Sequence, residues 1–503
     1  VDRLASLAVI GPNAAATMVM GGGSAALVAQ HETSPLDALV ARLGDRLEIC
    51  YEPGVVTDRS AQPLGGRSAV RADGGRGFDV VYFDSTDWTG PEVGTATFRD
   101  GRILHFDRAP GVSDLRSFSF RASTTYTPAV DGDHALTLVQ AGRARLLVDG
   151  EVVVDGIERP MPPGDEFFGM GSAEADALVS MVAGRPVRVE VEWTSAEAAM
   201  LSGAKVGVRA PTPDDLMDRA VAVATAADAV VLVVGTSLDW ETEGRDRESM
   251  DLPGDQPELI RRVCAANERT VVVVNSGSVV TSDWAEVAPA VLQIWFGGQE
   301  MADALVDVLF GDDEPSGRLP TTMPRRLEDT PAFLSYPGEN GRVVYSEGLF
   351  TGYRWYEARR LPVAFPFGHG LGYTTFRWGE PSLDEIPSIA ELDRAGSEVV
   401  QCYVAPTAPR LTRPVRELQG FAKVRLEPGG SADVVIQLDH RAFAYWDPGD
   451  PGHSERLSRV PVAAGQGSGP RDEPGWHVDP GTYELHMGRS SADTRHMVAV
   501  HLG

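Results

Sequence analysis

The stretch Trp240-Glu-Thr-Glu-Gly-Arg-Asp-Arg247 sets an indole beside the carboxylates of Glu241, Glu243 and Asp246, with Glu248 following directly. Paired carboxylates are the equipment for cleaving a glycosidic bond: one protonates the departing oxygen while the other attacks the anomeric carbon or activates water. An aromatic face such as that of Trp240 offers a sugar ring a stacking surface. The residue types point to a glycosidase acid. On pattern alone a solvated charged loop is the commoner explanation, and no spacing singles out one of the four acids.

What precedes the loop says where it sits. Ala229 to Val234 is apolar at every position, which fits a strand covered on both faces, as in a parallel sheet. In open α/β sheets ligands lie beyond the carboxyl ends of such strands, where the residues after Gly235 fall. Leu7-Ala-Val-Ile-Gly11 reads as another buried strand, and Ser34 to Gly44 as a helix with Ser34 as N-cap and Pro35 at its first position. A helix capped by Asp214 or Asp215 leads into Ala229. Helices over Gln256 to Asn267 and Gln299 to Phe310 then alternate with strands at Thr270 to Asn275 and Ala290 to Phe296. This alternation means crossover units and a parallel sheet.

Between Gly54 and Asp214 that pattern stops. Short alternating segments take over, at Asp79 to Phe83, Ser117 to Arg121 and Ala144 to Val154, the last carrying a two-residue Asp149-Gly150 hairpin turn. The sequence predicts an all-β domain over 57–210, inserted into an α/β domain made of 1–56 and 211–378. Within the insertion, Phe167 and Phe168 stand in the Gly-flanked loop Asp165-Glu-Phe-Phe-Gly-Met-Gly-Ser172. Either they wall the outer, aglycone side of a sugar site or they plug the β-sandwich. Over 379–503 alternating strands return at Ser397 to Val404, Arg416 to Leu426, Ala432 to Leu438 and Gly481 to Gly488. Asp447 to Pro474, rich in Pro, Gly and Ser, reads as a mobile loop.

Composition narrows the partners. A net charge of −27 disfavours nucleic acid and anionic membranes, which are bound mainly through Lys and Arg, and is compatible with a neutral sugar. No run of about 18 apolar residues marks a membrane span. Cys50, Cys264 and Cys402 are odd in number and far apart, so reduced thiols are expected rather than disulfides. No His or Cys spacing suggests a metal site, and no cofactor is expected. Gly21-Gly-Gly-Ser24 lacks the order of a nucleotide loop. Localisation leans to the cytoplasm but stays open, because the chain opens at Val1 without a Met and its natural start is expected upstream.

Trp240 to Arg247, followed by Leu252-Pro253 and Gln256, resembles the acid/base loop of glycoside hydrolase family 3, in particular of its β-glucosidases. The resemblance implies that Glu243 takes the general acid/base position, with Glu241 the second choice. Ile10-Gly-Pro-Asn13, Trp295-Phe-Gly-Gly-Gln-Glu300, Asp307-Val-Leu-Phe-Gly-Asp312, Pro315-Ser-Gly-Arg-Leu-Pro320 and Phe365-Pro-Phe-Gly-His-Gly370 match that family's α/β sandwich domain in order. Gly21-Gly-Gly-Ser24 matches it too, its glycines implying close approach to a neighbouring domain. Tyr82-Phe83, Phe118-Ser-Phe-Arg121 and Gly142 to Gly150 resemble the PA14 module that some members carry at this point. Arg413 to Phe421 and Leu426-Glu-Pro-Gly429 resemble its closing fibronectin type III-like domain, although between Leu383 and Arg394 there is too little chain for the usual first pair of strands.

The resemblance covers essentially the whole chain but only the back half of the family's architecture. It implies the non-barrel portion of a retaining hydrolase of terminal β-D-glucosyl residues. The nucleophilic Asp would come from a (β/α)8 barrel with no counterpart in these residues, so the chain alone is expected to be inactive. Asp283, in Thr281-Ser-Asp-Trp284, mimics the family's nucleophile motif but follows the strand at Val271 and is not expected to serve. The implied partners are a β-glucoside or oligosaccharide and the barrel. Oligomeric state and the choice among glucose, xylose and N-acetylglucosamine stay open. The alternative is a noncatalytic carbohydrate-binding or adhesion protein.

Overall fold

The structure, a computed structural model, describes residues 4–16, 18–23, 26–27, 29–167, 169–198, 200–243, 245–381, 388–391, 394–449 and 474–503, with only the backbone described at 67 and 388–391. Its first element group is β1 (Ser6–Ile10), α1 (Pro35–Leu43) and β2 (Glu48–Glu52). After a long β insertion come α2 (Leu216–Ala226), β3 (Ala229–Gly235), α3 (Gln256–Ala266), β4 (Thr270–Asn275), β5 (Ala290–Gln293) and α4 (Met301–Phe310). The strands form one parallel sheet in the order β5-β4-β3-β1-β2.

The unbroken apolar runs are explained by what covers the sheet. Leu7, Val9, Val231, Val233 and Val273 pack on Leu39 and Leu43 of α1 and Leu305 and Val306 of α4. Their neighbours Ala8, Ile10, Val230, Leu232, Val234, Val272 and Val274 point to the other face, against Ala220 and Ala224 of α2 and Leu259, Ile260 and Val263 of α3. Each Val, Leu or Ile so buried contributes about 1.5–3 kcal/mol, which is why no polar residue interrupts these strands. The sheet grows outward from β1 in both directions. The order therefore reverses between β1 and β3, and the loops leaving their carboxyl ends diverge there.

Some helix ends follow local chemistry and others do not. Ser34 Oγ accepts the Asp37 N–H at 3.1 Å at the start of α1, and Gly311 ends α4 with φ of 75°. Asp215 precedes α2 but makes no side-chain cap, contrary to expectation. Its backbone, at φ −95° and ψ 13°, is not in the extended form that aims a cap oxygen at the first turn.

Residues 62 to 209 build two β-sheets packed face to face. A seven-stranded sheet runs Glu151–Asp155, Arg143–Val148, Val187–Thr194, Ser119–Tyr126, Phe78–Phe83, Glu92–Phe98, with Ala69–Val70 beside Ser119–Tyr126. A five-stranded sheet centres on Gly132–Ala141 and Ser202–Arg209. Phe78, Tyr82, Phe120 and Trp193 of the first meet Leu136, Leu138 and Val206 of the second. Asp149 and Gly150 both have positive φ, 48° and 87°, as the predicted hairpin turn requires.

The C-terminal part pairs Glu417–Leu426, Gly396–Pro406, Gly481–Gly488 and Thr494–Leu502 in one antiparallel sheet. Facing it are Phe376–Trp378, Ser388–Glu391 and Ser431–Asp433. The expected lack of a first strand pair is thus corrected. Phe376–Trp378 pairs with Ser388–Glu391, the first strand beginning before the stretch in which both had been sought. The strand expected over Ala432 to Leu438 is short, ending at Asp433. Most of the loop expected over Asp447 to Pro474 lies outside the described residues. Glu398, fully buried on Gly396–Pro406, ties this part to the α/β part by accepting from Arg318 at 2.6 Å. Arg489 Nε approaches its other oxygen at 2.7 Å, without the alignment of a hydrogen bond.

Candidate active site

An open cleft of about 1210 Å³ lies beyond the carboxyl ends of the parallel strands. The loop after β1 gives it Gly21 and Gly22, that after β3 Trp240 to Glu243 and Arg245 to Arg247, that after β4 Gly277 and Ser278, and that after β5 Trp295 and Phe296. Three buried amides tie these loops together. Asn13 Nδ2 donates to Thr236 O at 2.9 Å and Asn275 Oδ1 at 3.1 Å, and Asn275 Nδ2 donates to Trp295 O at 2.7 Å and Met18 O at 3.0 Å. Gln256 both accepts from Gly235 N and donates to Gly235 O, each at 2.8 Å. Buried amides hydrogen-bonded in this way hold a loop in one arrangement.

The two leading carboxylates have different surroundings. Glu241 Oε1 accepts from Thr236 Oγ1 at 2.5 Å and from Gly277 N at 2.9 Å. Gly277 has no room for a side chain, since a Cβ there would meet Glu241 Oε2 and Phe296 Cδ2 at 2.7 Å. Glu243 is exposed on the cleft wall. Behind it Gly22 N donates to Glu241 O at 2.8 Å, and a Cβ on Gly23 would stand 2.6 Å from that of Glu243. These glycines thus allow close backbone approach to the acidic loop. Burial holds Arg247 below its ordinary pKa against the opposing charges of Glu241 and Asp251, and its guanidinium donates to Ser278 Oγ at 2.9 Å. Trp240 is anchored by Nε1 to Thr57 O at 2.7 Å, with the Arg59 guanidinium 5.3 Å from its ring centre.

A model of the glycosyl hydrolase family 3 C-terminal domain matches residues 2–373, and one of a fibronectin type III-like domain matches residues 398–491. The chain belongs to glycosyl hydrolase family 3. Among members of that family, a β-glucosidase of Rhizobium radiobacter is 38% identical over 99% of this chain and 59% of its own length. A probable β-glucosidase I of Emericella nidulans is 36% identical over 88% of the chain and 56% of its own. The crystal structure of the Kluyveromyces marxianus β-glucosidase in complex with glucose superposes on 100% of the chain and 60% of its own, with a TM-score of 0.87 at 32% identity. The chain thus spans less than two thirds of the length of these family 3 relatives.

Within this family 3 chain, the predicted site residues separate. Glu243 stands on the cleft. Phe167 does not line it: the side chain is half-buried next to Gly171 and Val139, in a backbone with φ of 57° that bulky residues rarely adopt. Phe168 lies outside the described residues. The Phe167 loop is nonetheless adjacent, since Asp165 accepts from Arg245 at 2.7 Å, a bond that holds the Asp165 carboxyl below its usual range. Asp283 pairs with Arg261 at 2.6 Å and does not line the cleft. Sequence reading assigned no role to Trp295, Phe296 and Arg247. The available signal was position: Trp295 and Phe296 end the mostly apolar run that begins at Ala290, and because β5 stops at Gln293 both fall in the loop after it, at the same end of the sheet where Trp240 follows β3. Among the described residues no cluster of His, Cys, Asp and Glu is placed to hold a metal ion, and no helix is long and apolar enough to cross a membrane.

Proposed function

We propose that this chain supplies the general acid/base and one wall of the sugar site of a retaining β-glucosidase acting on terminal β-D-glucosyl residues. Glu243 donates the proton to the departing glycosidic oxygen and later activates water. The nucleophile, a second carboxyl about 5 to 5.5 Å from the first, comes from a (β/α)8 barrel outside these residues. The observation that carries the reading is the contrast on one loop, where Glu241 is held by Thr236 and Gly277 while Glu243 faces the cleft. In this scheme 1–56 and 211–378 form the α/β sandwich domain, 57–210 a PA14-type insertion and 379–503 the fibronectin type III-like domain. The loop that carries Phe167, tied to the acidic loop by the bond between Asp165 and Arg245, is on the side of the leaving sugar.

A general acid matters most when the leaving group is a poor one, which gives the test. The chain is assayed alone and in one polypeptide with a barrel, each with Glu243→Gln, on an alkyl β-glucoside and on a dinitrophenyl β-glucoside. The chain alone is expected to be inactive. With the barrel, Glu243→Gln should lower kcat/KM for the alkyl glucoside by roughly 10²–10⁴-fold, the usual worth of proton transfer, and far less for the dinitrophenyl one. Equal losses on both would refute the assignment of Glu243, and Glu243-dependent turnover by the chain alone would refute the dependence on the barrel.

A further inference from the structure

Lys205 is one of only two lysines in the chain, and at 4% exposure it is buried. Lysine is almost never buried unless paired, because an ammonium taken out of water needs an opposite charge and hydrogen-bond acceptors. The residue lies on the strand Ser202–Arg209 of the inserted sheets, and its partners come from two other segments. Nζ donates to Glu166 Oε1 at 2.9 Å, in the loop that also carries Phe167, and to Ser60 Oγ at 2.9 Å, in the segment that enters the insertion. Ser60 Oγ in turn donates to Asp239 Oδ2 at 3.3 Å, and Gln62 Nε2 reaches the same oxygen at 3.4 Å. One ammonium thus connects the Glu166 loop and the entry segment, and through the latter the turn that opens the acidic loop.

Both ends of the link are fixed by their own backbone. Gly171 N donates to Glu166 O and Gly164 N to Gly171 O, each at 3.0 Å. At the other end the amides of Trp240 and Glu241 donate to Ser237 O at 3.0 and 2.9 Å, and Asp239 N reaches Ser237 Oγ at 3.3 Å. Displacing either carboxylate therefore moves backbone and not just a free side chain. Arg245 and Asp165 bridge the same two loops at 2.7 Å, but the Asp165 side chain is 67% exposed, and exposed pairs contribute little. The buried ammonium is the tie whose loss counts. An ammonium is compact and can turn its N–H groups toward partners in different directions, whereas a guanidinium is wider and planar. In a chain that places arginine in other buried pairs, such as Arg318 with Glu398, lysine fits a closed site with two partners to reach.

We propose that Lys205 is a positioning residue for the acidic loop: through Glu166 on one side and Ser60 and Asp239 on the other, it ties the inserted sheets to the turn from which Glu243 is presented, so that the Glu166 loop and the acidic loop become ordered together. The link itself stands apart from the proposed function, while its effect on catalysis rests on that reading of Glu243.

Hydrogen exchange of this chain alone, read by mass spectrometry, tests the link. Glu166→Gln weakens the tie at a half-buried residue on the insertion side and leaves the ammonium with Ser60 and Asp239. Exchange is expected to quicken by roughly tenfold in peptides spanning 161–167 and also in those spanning 236–243, while Val230 to Val234 keeps the parent rate. Lys205→Met should have the larger effect, and Glu166→Gln decides the matter if that variant does not fold. Exchange over 236–243 that stays at the parent rate in Glu166→Gln overturns the link.

Catalysis gives the second readout. In one polypeptide with a barrel, Glu166→Gln should lower kcat for the alkyl β-glucoside by roughly tenfold and for the dinitrophenyl β-glucoside far less, the pattern of a misplaced acid and not of a less stable protein. Equal losses on the two substrates, where Glu243→Gln discriminates between them, overturn the positioning role. If Glu243→Gln does not discriminate, the reading of Glu243 has failed, and the exchange result still decides the link.

Discussion

Glu241 and Glu243 are two residues apart on one loop and hold opposite positions, the first accepting hydrogen bonds from Thr236 and Gly277, the second exposed on the cleft wall. They should separate in stability as well as in activity. Glu241→Ala leaves Gly277 N and Thr236 Oγ1 without an acceptor and should cost about 1–3 kcal/mol. Glu243→Gln keeps the length and shape of a side chain that is exposed on the cleft wall and should cost less than Glu241→Ala. Urea unfolding followed by tryptophan fluorescence measures both, and a Glu243→Gln loss as large as that of Glu241→Ala would show that the two roles have been interchanged.

Gly23 fixes the position of the proposed acid from behind. Its φ is +73°, and a methyl group there would meet Glu243 Cβ at 2.6 Å and Glu243 N at 2.8 Å. Gly23→Ala must displace the backbone at Glu243, and misplacing a reacting group by about 1 Å can cost 10²-fold in rate. In the barrel-containing enzyme kcat/KM is expected to fall by roughly that factor. Gly317→Ala, at a position with nothing within 4 Å and no positive φ, serves as the unaffected control.

The sheet was legible because burial on both faces leaves an unmistakable trace: Val230 to Val234 and Val271 to Val274 are apolar at every position since helices cover each side. The acidic loop was legible through its residue types and its place after a strand. The roles of Asn13, Asn275 and Gln256 were not, because a buried amide is recognised only by partners more than 200 residues away in two of the three cases, Asn13 with Thr236 and Asn275 with Met18. The first strand pair of the C-terminal sandwich was misread for a related reason. Phe376–Trp378 is too short to show a period, and only its pairing with Ser388–Glu391 defines it.

Asp239 gives the junction between the acidic loop and the inserted sheets a pH dependence. Burial pushes its carboxyl above the ordinary range against the nearby Lys205 charge, with Glu166 and Asp58 adding to the rise. Ser60 Oγ and Gln62 Nε2 donate to it at 3.3 and 3.4 Å. The folded protein thus keeps a proton there that the unfolded chain has released. Stability is lost as pH rises from about 3.9, the ordinary aspartate value, through the raised folded value. Asp239→Asn lacks that loss, so its unfolding free energy relative to the parent should increase between pH 4 and pH 7. A difference that is flat or falls over this range contradicts the raised value.

Glu398 links the α/β part to the C-terminal sandwich from a fully buried position. It accepts from Arg318 at 2.6 Å and has Arg489 Nε at 2.7 Å, while Arg318 itself is nearly buried. Removing one member of such a group leaves charge without compensation in a place water does not reach, which costs about 3–5 kcal/mol, far more than an exposed pair contributes. Glu398→Gln strands two guanidiniums at once, so the loss should fall on the contact between the two parts rather than on either core. Calorimetry of the parent is expected to show the sandwich unfolding with the α/β part, and the variant to show a separate, earlier transition for residues 396–503. Glu398→Met with Arg318→Met, which removes the main pair together, should recover part of that loss, because the buried charge and its closest partner disappear at the same time. If Glu398→Gln lowers every transition equally, the residue is stabilising one core and the coupling between the parts lies elsewhere.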